Sequence, residues 1–65
     1  MSLHSYRVSR EIAAKDYPFD SLIMAAMSKA DSQNQAFLQL AFPQLWAEVY
    51  ARYNAPGARL PSDGA

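Results

Sequence analysis

This 65-residue sequence predicts an all-α fold, a small helical hairpin with a third short helix. Three observations carry that prediction. Phe37 to Tyr53 holds five of the eight aromatic residues, and Leu38, Phe42, Leu45 and Val49 follow at steps of four, three and four. That spacing puts them on one helical face, with Trp46, Tyr50 and Tyr53 on its flank. Phe19, Leu22, Ile23, Ala26, Met27 and Ala30 form a second apolar stripe of helical period. Both stripes follow helix-start chemistry, Asp16-Tyr17-Pro18 for the earlier one and Asp31-Ser32 for the later.

Residues 1–15 are expected to form an extended N-terminal arm, a short strand or a turn of helix. His4, Tyr6 and Val8 alternate with Ser5 and Arg7, which suits a strand. A lone strand has nothing to pair with, so it would lie across the helices or pair with another chain. Ser9 reads as an N-cap for one or two turns over Arg10 to Lys15. A run that short is not stable alone.

Residues 16–54 are expected to be the helical body. Asp16 can cap the first helix, Pro18 suits its first turn, and Asp20 suits the positive end of its dipole. That helix runs from about Pro18 to Ala30. Met24 lies almost opposite its stripe, where it is either an ordinary surface methionine or a partner contact. Asp31 or Ser32 caps the next helix, and Ser32 with Gln35 fits a capping box. The short link implies an antiparallel hairpin.

Pro43 favours a break. Within a helix it would clash with the Gln39 carbonyl and cost about 3 kcal/mol, and it pushes Phe42 out of the helical region. Against a break, neither Ala41 nor Phe42 is a good cap, and the stripe runs through in phase. The preferred reading starts a third helix at Pro43 and ends it near Tyr53. Asn54 can enter a left-handed cap, and Pro56 blocks continuation. Residues 55–65 read as a disordered tail, with Leu60 its one large apolar residue.

Composition narrows the function. A chain this short buries only about 60% of the surface its unfolded form exposes, so its core is marginal. It has no cysteine for a disulfide and one histidine, His4, so a single chain cannot build a zinc site. Efficient helix packing or self-association is what remains. Net charge is zero, which gives no overall footprint for nucleic acid or membrane and no defence against self-association. Arg7, Arg10 and Lys15 against Glu11 leave residues 1–15 at +2. Asp16, Asp20, Asp31 and Glu48 against Lys29 and Arg52 leave residues 16–54 at −2. The longest apolar run, Leu22 to Met27, is far too short to span a bilayer. No apolar leader follows the basic residues, so a cytoplasmic protein is expected.

No enzyme is expected, nor any cofactor, metal or small-molecule substrate. His4 has no fixed neighbour, no serine stands in a nucleophile motif, and the acidic residues mostly suit helix starts and polar faces. Nucleic-acid binding is the competing class. Tyr6, Arg7, Arg10 and Lys15 could contact phosphates, though these are few cations. Protein interaction is preferred, with itself, another protein, or both. Trp46, Tyr50, Arg52 and Tyr53 are the residue types that dominate interface hot spots, and Met24 could join them. The bulk of Trp46 suits it to the core, whereas the tyrosine hydroxyls want water or a partner.

Two segments also carry a resemblance. FDSLIMAAMSKAD (residues 19–31) and FPQLWAEVYARYNAPG (residues 42–57) resemble short, uncharacterised helical proteins of bacterial phages and other mobile elements. The shared pattern is Leu22 to Met27, Ala30-Asp31 with Asn34, Phe42-Pro43, Trp46, and Arg52 to Gly57. A second glycine is expected after Gly57, where this chain has Ala58. The resemblance implies a mobile-element setting and, by analogy, a protein that binds and blocks a host protein, such as a defence enzyme.

Overall fold

The computed structural model describes residues 2–63. They form four α-helices: α1 (Leu3–Ala13), α2 (Phe19–Lys29), α3 (Ser32–Ala41) and α4 (Pro43–Tyr53). Two single 3-10 turns follow, Pro56–Ala58 and Pro61–Asp63. The all-α expectation holds, and the described residues include no strand.

The N-terminal segment is helical, which corrects the extended arm. Ser2 is the N-cap, and its Oγ accepts the Ser5 backbone N–H at 3.0 Å. Ser9, expected as the cap, sits mid-helix and its Oγ donates to the Tyr6 carbonyl at 2.6 Å. The alternation over His4–Val8 misled because a strand needs an adjacent strand to take its backbone hydrogen bonds. A helix satisfies them within itself. Along α1, Ser5, Val8, Ser9 and Ile12 share one face, while Leu3, Arg7 and Arg10 share the opposite one. Yet α1 packs against no other helix.

The body is built on α4, which packs against α2, α3 and the Pro56–Ala58 turn. Pro43 opens α4, as preferred from the sequence. Phe42 lies at φ −133° and ψ 65°, outside the helical region, as a residue before proline should. The Leu38 carbonyl still accepts the Phe42 N–H at 2.8 Å, and the Phe42 carbonyl accepts the Trp46 N–H at 2.9 Å. The elbow therefore keeps its backbone bonds on both sides. Phe19 meets Phe42 edge to face, ring centres 6.0 Å apart, which joins the start of α2 to the elbow.

Two terminal assignments change, at the start of α2 and the end of α4, and the choice of cap for α3 is settled. Pro18 precedes α2 with no side-chain cap, so Asp16 does not serve there, and Asp20 accepts the Ser21 N–H at 2.8 Å. Asp31, not Ser32, caps α3, accepting the Asn34 N–H at 2.8 Å. Gln35 is free of the expected box and donates from Nε2 to the Met27 carbonyl, 3.4 Å away. That carbonyl is in the last turn of α2, where no intrahelical donor reaches it. Asn54 stays right-handed at φ −93°, and the left-handed pair is Gly57 and Ala58, at φ 62° and 57°.

Among the described residues one side chain is buried, Met27 at 2% exposure. Ile23, Leu38, Leu45, Trp46 and Val49 are half-buried around it. Met24 is half-buried too, so it does not lie on the open side of α2. Of the expected stripe, Met27 is buried and Leu22, Ile23 and Ala30 are half-buried, and Met24 joins them. Phe19 and Ala26, both in that stripe, are exposed.

Candidate aromatic interaction face

Helix α4 turns its Leu45–Val49 side inward and leaves its aromatic flank open. Tyr50 is 66% exposed and Tyr53 is 89% exposed. With Met27, Gln35, Trp46 and Val49 they line an open cleft of about 280 Å³ between α2 and α4. Its floor is the one buried side chain, and its rim carries the phenol hydroxyls. Trp46 is half-buried, so it serves core and cleft together. The cleft offers apolar surface with polar edges, which suits an apolar side chain from another molecule. Ser28 also lines it, with its Oγ donating to the Met24 carbonyl at 3.3 Å.

Arg52, grouped with the tyrosines from the sequence, is engaged within the chain. Its Nε donates to Glu48 at 2.9 Å. Nη1 donates to the Ala58 carbonyl at 2.8 Å and to Asp63 Oδ2 at 2.7 Å, and Nη2 donates to Asp63 Oδ1 at 2.6 Å. This bidentate geometry is the strong form of arginine–carboxylate pairing. Asp63 also accepts the Leu60 N–H at 3.0 Å. The guanidinium, and secondarily that N–H, hold the Asp63 carboxyl well below the usual carboxylate range, and the two carboxylates push Arg52 further up.

This cluster folds residues 55–63 back on α4, which corrects the disordered tail as far as Asp63. Gly64 and Ala65 lie outside the described residues. The sequence reading missed it because Arg52 and Asp63 are eleven positions apart with no periodic signal between them.

The basic set divides. Tyr6, Arg7 and Arg10 lie exposed on one side of α1, and Lys15 lies beyond its end. Among the described residues no group of three or more His, Cys, Asp or Glu side chains could hold a metal ion. No described helix is long and apolar enough to cross a membrane. No family model matches the chain, and no match is found among curated proteins or solved structures.

Proposed function

We propose that this chain is a cytoplasmic, non-enzymatic protein-interaction module that self-associates and presents Tyr50 and Tyr53 to a partner. One observation carries the reading. Among the described residues Met27 alone is buried, while nine large apolar or aromatic side chains are more than 40% exposed. Single exposed apolar residues are ordinary, but so many on so small a body favour cover by another chain. The two-residue link Ala30-Asp31 favours α2 and α3 as an antiparallel pair behind that surface. The resemblance to mobile-element proteins favours a host protein as the further partner, blocked by occupation rather than chemistry.

The test is solution mass by light scattering across a concentration series, with Tyr50→Ala and Tyr53→Ala measured beside the parent chain for partner capture. Self-association of the parent and loss of capture in the tyrosine variants support the reading. A monomer at every concentration, together with capture unaffected by both variants, overturns it.

The nucleic-acid reading has one observation in its favour: α1 places Tyr6, Arg7 and Arg10 on one exposed side. Its signature is salt-dependent binding to DNA or RNA that is lost in Arg7→Glu/Arg10→Glu.

A further inference from the structure

The middle of helix α2 is apolar on all sides, because Leu22 to Met27 is an unbroken apolar run between Ser21 and Ser28. A helix of that kind belongs between two covering layers. Its Ile23–Met27 side is covered by α3 and α4. Its other side is not. There Leu22, Ala25, Ala26 and Lys29 face an open groove of about 590 Å³, closed at one end by Ile12 and Tyr17. Ala26 and Lys29 continue it into a second hollow of about 380 Å³ along Phe37 and Leu38. The alanines let another helix come close.

The chain contains a helix with no site of its own. Eleven residues make α1 about 16 Å long, the same length as α2. Its Ser5–Val8–Ser9–Ile12 face alternates small and branched side chains, as a partner for an alanine-lined groove should. Its own groove is the wrong place for it. The linker is set by hydrogen bonds from Lys15 N–H to the Ile12 carbonyl (3.1 Å) and from Tyr17 N–H to the Lys15 carbonyl (2.9 Å), then by extended Pro18. That linker brings Ile12 alone of α1 to its own groove, and α1 packs against no other helix.

We infer that α1 of a second copy of this chain occupies the outer groove of α2, and that two copies exchange α1 helices about a two-fold axis. The inference rests on the proposed self-association and names its surface. Surface area supports it. The chain exposes 5620 Å², against about 4,100 Å² for a compact monomer of 7.2 kDa. The excess, about 1,500 Å² per chain, corresponds to roughly 3,000 Å² for a pair, within the range of obligate homodimers. The radius of gyration agrees, at 13.8 Å against about 11 Å for a compact domain of this length. Charge agrees as well. Helix α1 carries +1 and residues 1–15 together +2, against −2 for residues 16–54, where Asp20 opens α2 and Asp31 follows it. Exchange of identical elements gives a closed, self-complementary pair.

The test uses the full chain. Light scattering should give twice 7.2 kDa for the parent and half of that for Val8→Asp/Ile12→Asp. Trp46 fluorescence in that variant should stay native, because α1 packs against no other helix. A copy carrying Leu3→Cys, the only cysteine in the chain, takes a spin label on the far side of α1. Mixed with an isotope-labelled parent chain, it should broaden the Ala25 and Ala26 amides of that other copy. A dimer that persists in Val8→Asp/Ile12→Asp, or broadening at Tyr50 and Tyr53 instead, overturns the exchange while leaving self-association standing. A parent chain that is monomeric throughout overturns both.

Discussion

Arg52 grips Asp63 through two parallel hydrogen bonds of 2.6 and 2.7 Å, and this pair holds the end of the chain against α4. The same guanidinium bonds Glu48 and the Ala58 carbonyl, so one side chain organises residues 48–63. Asp63→Asn keeps the shape and loses the charge. Amide exchange at Leu60 should become fast while exchange within α4 stays slow. Unchanged protection at Leu60 would show that the pair does not hold the tail.

The same pair makes tail docking pH-dependent. Asp63 has a lower pKa docked than released, so the released tail binds the proton more tightly and acid favours release. Docking is fully present above the ordinary aspartate value of about 3.9 and is lost as pH falls through the lowered value. The Leu60 amide signal should therefore hold steady from neutral pH to about 4 and disappear only below it. Release centred above that value would contradict the geometry.

Ala58 carries a backbone angle that disfavours a side chain, at φ 57°. The left-handed region costs an L-residue roughly 1–2 kcal/mol, more than the extra freedom of glycine costs at about 0.5–1 kcal/mol. It is also the position where the resemblance calls for glycine. Ala58→Gly should slow Leu60 amide exchange, and faster exchange would mean that the Arg52 bond to this carbonyl already offsets the strain.

Two neighbouring substitutions separate the caps of α3. Asp31→Ala removes the acceptor for the Asn34 N–H and should lower stability by about 1 kcal/mol. Ser32→Ala removes no cap bond and should change little. Denaturant midpoints of the two variants check this, and equal losses would restore Ser32 as a contributor.

Met27 is the single anchor of the core. Met27→Ala should cost about 2–5 kcal/mol, enough to broaden or abolish the thermal transition of so small a body. A sharp transition near the parent Tm would place the stabilising packing elsewhere.

Most helix positions were legible in the sequence because their signals act over four residues or fewer. Pro43 with Phe42 set the α3–α4 elbow through steric exclusion alone, and Asp31 at the start of α3 was among the two expected caps. Local signals failed where two readings shared the same residues. His4 to Val8 alternates like a strand and also completes a helical turn, and the Ser2 cap settles it.

What the sequence determined by itself is the all-α class, the boundaries of α2 to α4, and the absence of cysteine. Tertiary structure decided which side of α2 turns inward, because a helix whose middle is apolar on all sides carries no preferred face there until neighbours choose one. It decided that α1 packs against no other helix of its own chain and brings only Ile12 to the α2 groove, a property of the linker turn rather than of α1. It also brought Arg52 to Asp63, since a charge pair eleven residues apart forms only when the intervening backbone reverses direction.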